Sequence, residues 1–292
     1  MTFDGGGICG TYSVAMLLRL ITHRPELVAS VDLFAGTSTG GIIALALASG
    51  LSPNAVLDLY KIRGTEIFKR SAWRRIFSPF GLCESKYTND GLIAAVKGAL
   101  GNGLMGNLKR NVVVPAFDLK SVASPDNPSW RMRFFHNLDT DDQAELVADV
   151  AIRTSSAPTF FPSYQGYVDG GVACNDPSLL AVAEAIAHGA ALSDIRLMSI
   201  GTGGQIKYID GQDLQWGALA WIRPLLNIFM GGQELVVDAL TSKFLGTNYC
   251  RLSPVIPDIA MDDVGKVDEL LNLASTADIS GTLKFLDEIF LA

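Results

Sequence analysis

The sequence is poor in the residues that build metal centres and in positive charge. It has three histidines and four cysteines in 292 residues, and neither type forms a cluster along the chain. This spacing predicts no metal centre, and it favours reduced thiols over a disulfide framework. Acidic residues outnumber basic residues by 30 to 23, which gives a net charge of −7. No nucleic-acid partner is expected, because such proteins normally carry a basic surface.

Long apolar runs are also missing. No run reaches the roughly 20 residues that a membrane-spanning helix needs, and the opening residues lack the basic and apolar regions of a signal peptide. We therefore expect a cytoplasmic protein. Hydrophobic residues make up 49% of the chain, enough for a large core, and no linker or repeat divides it. The sequence predicts one domain over residues 1–292.

Short apolar runs alternate with helical patterns along most of the chain. Residues 31–35 and 195–200 are typical of buried strands, whereas residues 12–21 have an apolar face at helical spacing. Residues 41–48 are apolar on all sides, as expected of a helix inside a sandwich. This alternation predicts an α/β fold, a three-layer α/β/α sandwich with a mainly parallel central sheet.

The segment GTSTG lies between a predicted strand and a predicted helix. It has the pattern of a nucleophile elbow, in which Gly36 and Gly40 permit a tight turn and the Ser38 hydroxyl is held above the sheet edge. The helix that follows favours negative charge near the serine. The alternative is a glycine-rich turn in which Ser38 only caps the helix.

A second glycine-rich turn, DGGGICG, follows the first predicted strand. Gly5, Gly6 and Gly7 allow successive backbone N–H groups to converge on one point, where they can bind an oxyanion. The same turn fits the dinucleotide fingerprint GxGxxG at Gly5, Gly7 and Gly10, with Asp32 near the position of a ribose-binding acid. A nucleotide-binding module is therefore an alternative, although it assigns no role to the other motifs.

The third motif is DGG, at Asp169, Gly170 and Gly171, which also follows a predicted strand. An aspartate before two glycines is typical of an Asx turn, and it is equally placed for close approach by another group. Open α/β sheets gather their sites at the carboxyl ends of strands, so the three motifs are expected to meet there. Together they would supply an oxyanion hole, a nucleophile and a base.

With these motifs the chain resembles the patatin-like phospholipases, which are lipid acyl hydrolases. The resemblance continues through AIRTSSAPTFFP at 151–162, DGGVACNDPSLLAVAEA at 169–185, MSIGTG at 198–203 and YCRLSP at 249–254. It implies that Ser38 is the nucleophile, that Asp169 is its base, and that Gly5 to Gly7 are the oxyanion donors. It also implies a phospholipid or other glycerolipid substrate and no metal or organic cofactor.

A Ser–Asp dyad makes particular demands on its aspartate. Asp169 would take the serine proton directly, without the histidine of a triad. An ordinary carboxyl pKa of about 3.9 makes a weak base at neutral pH, and burial without a cation would raise that pKa. Alkoxides leave more readily than amines, so the dyad predicts an esterase. One departure is Cys9, which stands where the family's loop usually carries arginine and so removes a positive charge near the oxyanion.

Two other interpretations remain open from the sequence. The order Ser, Asp, His is that of α/β hydrolases, and His188 is the only histidine after Asp169. However, its position beside Gly189 is typical of a helix C-cap. A catalytically silent, lipid-binding regulator of the same fold is the other interpretation.

Two segments suggest peripheral contact with a membrane. Residues 216–230 are apolar but interrupted by Arg223 and Pro224. They could form a lid with tryptophans at a lipid surface, although a core helix pair or a dimer face is the simpler interpretation. The basic residues 69–75 could contact anionic headgroups or form a solvated loop.

Overall fold

The computed structural model describes residues 1–69, 84–121, 128–204, 209 and 215–292. The strands, in chain order, are β1 Thr2–Phe3, β2 Leu33–Gly36, β3 Asn111–Ser121, β4 Ser129–His136, β5 Tyr167–Asp169, β6 Leu197–Ile200 and β7 Tyr249–Leu252. The described α-helices are α1 Gly10–His23, α2 Thr39–Ser49, α3 Pro53–Ile67, α4 Asp90–Leu100, α5 Val147–Ser155, α6 Ser178–Ala187, α7 Ala218–Leu245, α8 Val267–Thr276 and α9 Ser280–Phe285.

The strands form one mixed sheet in the order β4-β3-β2-β1-β6-β7, and β5 pairs with β3 outside this path. Four strand pairs are parallel: β3 with β2, β2 with β1, β1 with β6, and β6 with β7. Only β4 and β5, which both pair with β3, run antiparallel among the described strands. The predicted mainly parallel sheet is therefore confirmed.

Apolar side chains cover the sheet on both faces. Neighbouring strand residues point to opposite faces, and Phe34 and Ala35 of β2 enter two different clusters. Phe34 packs in the larger cluster with Ile43 of α2, whereas Ala35 packs in the second cluster with Leu180 of α6 and Leu245 of α7. The three-layer α/β/α sandwich is therefore confirmed.

Local sequence signals explain where several helices begin and end. Helix α3 begins at Pro53, and the Ser52 hydroxyl accepts a hydrogen bond from the Ala55 N–H at 3.2 Å, as expected of an N-cap. Helix α2 ends at Ser49 and is followed by Gly50, whose φ of 91° favours glycine. At the start of α4 the Asn89 side chain makes no capping hydrogen bond and instead donates to the Pro162 carbonyl at 3.2 Å.

The apolar segment at 216–230 does not form a core helix pair, which was one of its interpretations. Pro224 lies inside the 28-residue helix α7, so the segment is not a helix pair. It is also not core, because Phe229 is 59% exposed. No helix in the described part of the chain is both long and apolar enough to cross a membrane. The basic stretch 69–75 lies, after Lys69, outside the described residues.

Candidate active site

The turn between β2 and α2 holds Ser38 in a strained conformation. Its φ of 55° and ψ of −123° lie in a region that side-chain-bearing residues rarely adopt, and such strain clusters at functional sites. A Cβ at Gly36 would overlap the Gly40 carbonyl, and one at Gly40 would overlap the carbonyl of Phe3. Both glycines are therefore required by space. The Ser38 side chain makes no helix-capping hydrogen bond, so the simple N-cap interpretation is wrong.

Hydrogen bonds from two other segments orient this elbow. The Ser38 N–H donates to the Thr154 hydroxyl oxygen at 2.9 Å, and that hydroxyl donates to the Pro115 carbonyl at 2.7 Å. The Thr37 hydroxyl donates to the Cys174 carbonyl at 2.7 Å, which joins the elbow to the chain after Asp169. These contacts use backbone and neighbouring groups and leave the Ser38 hydroxyl for another partner.

That partner is the carboxylate of Asp169, which is buried at the end of β5. It accepts a hydrogen bond from the Ser38 hydroxyl and another, at 2.7 Å, from the Gly171 N–H. The second bond forms the Asx turn expected from the sequence, so the turn and the contact with serine coexist. Burial raises the pKa of Asp169 to about 7, and the two hydrogen bonds offset part of that rise. A carboxylate with this pKa is suited to take a proton near neutral pH.

Asp169 reaches the site from an unexpected direction. Strand β3 continues beyond its pairing with β2, and β5 runs antiparallel along that extension, with Asp169 opposite Ala116. Ser38 and Gly5, in contrast, follow the carboxyl ends of the parallel strands β2 and β1. The sheet edge therefore collects the motifs as expected, but the aspartate arrives on an antiparallel strand.

The glycine loop after β1 lies directly against the elbow. A Cβ at Gly5 would lie 3.4 Å from the Ser38 Cβ and would overlap the Asn175 amide oxygen. A Cβ at Gly6 would overlap Thr202, which follows β6, and Gly7 has a φ of +58°. Close approach on all sides therefore explains the run of three glycines.

The loop offers fewer oxyanion donors than the sequence predicted. The Gly5 N–H donates to the Asn175 carbonyl at 3.1 Å, so the prediction that Gly5 is a donor is wrong. The N–H groups of Gly6 and Gly7 have no hydrogen-bond partner among the described residues. These two N–H groups are the ones that remain to bind an anion beside Ser38.

The remaining motif glycines allow segments to pack closely around the site. Gly10 begins α1, and a Cβ there would overlap the Thr39 hydroxyl at the start of α2. A Cβ at Gly170 would overlap the Pro115 carbonyl of β3, and one at Gly171 would lie 2.8 Å from the Asn175 amide oxygen. Each motif glycine thus marks a contact between two elements that border the site.

A buried ion network supports the glycine loop, and sequence reasoning missed it. Arg251 of β7 lies between Asp4, at 2.6 Å, and Asp176, at 2.8 Å, and both carboxylates are buried. Burial and Asp176 raise the pKa of Asp4, and Arg251 opposes that rise. Asp4 and Asp176 adjoin motifs visible in the sequence, but no local signal marks Arg251.

Helix α7 also contacts the site through residues that the sequence did not single out. The Asn175 amide donates to the Glu234 carboxylate and to the Gly5 carbonyl, the latter at 3.4 Å. The Gln233 amide donates to the Val172 carbonyl at 3.0 Å. The polar side of α7 is thus joined to both the glycine loop and the turn after Asp169.

The dinucleotide interpretation does not fit the fold. The expected ribose-binding acid, Asp32, precedes β2 and lies near the Met1 amine. It is therefore at the amino ends of the parallel strands, on the edge opposite the glycine loop. The fingerprint needs both groups at one edge.

The structure also separates His188 from the proposed pair. The His188 ring hydrogen bonds to the Glu184 carbonyl at 2.8 Å and lies 5.4 Å from the His136 ring. Asp169 instead bonds to Ser38 and Gly171, and no histidine of the described residues contacts it. A Ser–Asp–His triad requires a contact between the histidine and the aspartate, and this contact is missing for His188 and Asp169. His136 and His188 are neighbours in the fold, although nothing in the sequence indicated this.

Cys9 is buried beside the glycine loop. It is 3% exposed, and its sulfur lies 3.9 Å from the Ile259 carbonyl. Cys9 is therefore a small residue that fits this packing. None of the described cysteines forms a disulfide.

This chain is similar in sequence to several known proteins. The sequence profile of the patatin-like phospholipases matches residues 1–182. Protein teg of Priestia megaterium is 32% identical over 316 residues, covering 98% of this chain and 97% of that protein. A cGAMP-activated phospholipase of Pseudomonas aeruginosa is 29% identical, covering 92% of this chain and 82% of its own length. Patatin-like protein 3 of Arabidopsis thaliana is 27% identical, covering 92% and 76% respectively.

Proposed function

This chain belongs to the patatin-like phospholipase family, and from that premise we propose that it is a serine acyl hydrolase of glycerolipids. The proposed activity is of the phospholipase A or lysophospholipase type, on a phospholipid or other glycerolipid ester. The observation that carries the proposal is the hydrogen-bonded pair of Ser38, in its strained turn, and the buried Asp169 carboxylate. We treat residues 1–292 as one catalytic domain.

The first half of the proposed reaction transfers the acyl group to Ser38. Asp169 takes the hydroxyl proton as the serine oxygen attacks the ester carbonyl carbon. The carbonyl oxygen becomes an oxyanion, which the N–H groups of Gly6 and Gly7 would bind at the amino end of the neighbouring turn. The intermediate collapses, the ester bond breaks, and the departing alkoxide takes the proton from Asp169.

The second half regenerates the enzyme. Asp169, again a carboxylate, takes a proton from water as the water oxygen attacks the acyl-enzyme. The Ser38 oxygen leaves and recovers the proton from Asp169, and the fatty acid departs. A direct carboxylate base favours esters over amides, because an amine leaves poorly without a stronger proton donor. The proposed chemistry uses only side chains and backbone amides.

We also propose that α7 contacts the lipid surface, because this helix has its polar side against the protein. Glu234 accepts a hydrogen bond from Asn175, Asp238 accepts one from the Tyr249 hydroxyl at 2.9 Å, and Thr241 is fully buried. Its outward side carries a row of exposed apolar side chains, here called the α7 apolar face: Leu225, Ile228, Phe229, Leu235, Val236, Leu240 and Phe244.

Charge and position favour a bilayer as the partner of this face. Both described acidic residues of α7 point to the protein, and the exposed Lys243 accompanies the apolar side chains. A face with a cation and no carboxylate among its described side chains suits anionic headgroups. Gln233 and Glu234 bond this helix to loops around Ser38 and Asp169, so contact here would bring lipid beside the site. We propose a cytoplasmic protein that binds membranes peripherally.

Two variants test the catalytic proposal directly. Ser38→Ala is expected to lose turnover of phospholipid and short-chain esters, and to lose labelling by a fluorophosphonate, which needs an activated serine. Asp169→Asn is expected to lower kcat/KM by roughly 10²–10⁴-fold, the usual contribution of a general base. Ser275→Ala and Asp58→Asn change exposed residues of the same types outside the site and serve as matched controls. Labelling of Ser38→Ala at the parent rate would refute the proposed nucleophile. A parent that takes no label would instead indicate a silent lipid-binding regulator.

A further inference from the structure

A group of four metal-binding side chains lies outside the candidate active site, between the ends of β4 and α6. His136 is the last residue of β4, Glu184 lies in α6, and His188 directly follows α6. One donor atom from each of these three residues lies within 4.8 Å of the others. We propose that they form, with Asp139, a binding site for a divalent transition metal, and that Zn²⁺ is the ion that suits it.

The distances within the group are close to those of a coordination sphere. The Asp139 Oδ2 atom lies 3.9 Å from the His136 Nε2 atom and 4.0 Å from the His188 Nε2 atom. Four ligands at a zinc–nitrogen or zinc–oxygen distance of about 2.1 Å would be about 3.4 Å apart in a tetrahedron. Asp139 and the two histidines therefore need to approach by only a fraction of an ångström each, whereas the Glu184 Oε2 atom, 3.7 Å from the His188 Nδ1 atom, must turn towards the Nε2 side of that ring.

The ring of His188 is already oriented as a metal ligand. Its Nδ1 atom lies 2.8 Å from the Glu184 carbonyl, and a carbonyl oxygen can only accept a hydrogen bond. The proton of the neutral ring is thus on Nδ1, which leaves the lone pair on Nε2, the atom that faces Asp139. A backbone carbonyl that fixes the second ring nitrogen is the usual outer contact of a histidine bound to a metal.

His136 presents its Nε2 atom to the same group, 3.9 Å from the Asp139 Oδ2 atom, and its side chain is 13% exposed. Its Nδ1 atom is buried without a hydrogen-bond partner among the described residues. A ring proton on Nδ1 leaves the lone pair of Nε2 to bind an ion. Two neutral imidazoles and two carboxylates carry a charge of about −2, which a divalent cation neutralises.

The composition of the group indicates a structural ion. Two imidazoles and two carboxylates fill a tetrahedral zinc site and leave no position for water or substrate. The ion would join the turn after β4 to the end of α6, the first helix after the turn that carries Asp169. The site is therefore expected to stabilise the fold at one side of the sheet and to act independently of ester hydrolysis.

Titration of metal-stripped protein with Zn²⁺ alone tests this site. Isothermal calorimetry of the parent is expected to show one ion per chain, and the midpoint of thermal unfolding should rise with zinc concentration. His136→Ala and His188→Ala should each weaken binding by about 100-fold or more and abolish the rise in midpoint. Glu184→Gln, which preserves shape, should weaken binding without loss of the fold. His23→Ala removes the third histidine, on the exposed end of α1, and is the matched control.

Titration with Co²⁺ separates this site from the cysteines. Thiolate ligands give bound cobalt an intense near-ultraviolet band, whereas nitrogen and oxygen ligands alone do not. The parent should show the weak visible bands of a tetrahedral site without the thiolate band. Zinc affinity that is equal in the parent and in both histidine variants would overturn the proposal. A parent that binds no zinc would also overturn it and would leave the group as an ion-pair network.

Discussion

The buried carboxylate of Asp169 governs how the proposed chemistry depends on pH. Burial raises the pKa of Asp169 to about 7, whereas hydrogen bonds from Ser38 and Gly171 lower it in part. None of the described cationic side chains contributes to this change in pKa. The result is a base whose strength matches a neutral working pH, which a solvent-exposed aspartate would not have.

We predict that kcat/KM rises with pH through about 7. Below that pH Asp169 is protonated and cannot take the Ser38 proton, and above it the carboxylate is ionised and activity levels off. The measurement is kcat/KM for an uncharged short-chain ester between about pH 5 and pH 9, a range in which such a substrate does not titrate. A profile with its midpoint near the ordinary aspartate pKa of about 4 would contradict a buried aspartate base.

Single residues differ in how far the sequence reveals them. Ser38 and Asp169 could be predicted, because each lies in a short motif whose glycines report a tight turn. Thr154 could not, because its hydrogen bond to the Ser38 N–H joins residues 116 positions apart. The sequence also predicted Gly5 as an oxyanion donor. It could not show that the Gly5 N–H donates to the carbonyl of Asn175, which lies far along the chain.

Among the elements, α7 shows why apolar content alone did not predict burial. Its apolar residues suggest a core helix, but the side that packs on the protein carries Glu234, Asp238 and Thr241. Glu234 has its partner in the loop after Asp169 and Asp238 has its partner on β7, and only the folded chain brings these groups together. With its polar side occupied, the helix directs its apolar side outwards.

We predict that the α7 apolar face binds anionic vesicles. Replacing Phe229 and Val236 together with serine should lower binding by at least about tenfold, because each buried apolar side chain contributes ~1.5–3 kcal/mol. Binding is measured by sedimentation with phosphatidylcholine–phosphatidylglycerol vesicles, in a Ser38→Ala background that leaves the lipids intact. Ile62→Ser, which changes an exposed apolar residue of α3, is the control. Undiminished vesicle binding, or a parent dimer that the double variant dissociates, would contradict the assignment.

For the whole molecule, alternation of strands and helices was enough to predict the layers of the fold. The directions of the short strands were not predictable, because the three residues of β5 carry no signal that distinguishes parallel from antiparallel pairing. The neighbourhood of His136 and His188 depends on that topology too, since 52 positions of chain separate them. Contacts between residues so far apart in the sequence are set by the order and direction in which the strands pair.

The sheet also carries a network that joins distant parts of the chain. Arg251 of β7 holds Asp4, at the end of β1, and Asp176, before α6, in a buried group. Asp4 is the first residue of the glycine loop, so this buried group holds the start of that loop in place beside the site. Replacing the arginine would leave two buried carboxylates without a cation, which is a strongly destabilising change.

We therefore predict that Arg251→Gln lowers the free energy of unfolding by about 3–5 kcal/mol. The loss should be larger at about pH 8 than at about pH 5. Burial raises the pKa of Asp4, and without Arg251 that pKa rises further above its unfolded value. The native variant then binds more protons than the unfolded chain, so its stability falls as pH rises through that range.

Chemical denaturation at both pH values measures the effect, with Arg196→Gln, at an exposed arginine beside β6, as the control. Equal losses in the two variants would show that the buried network does not stabilise the fold.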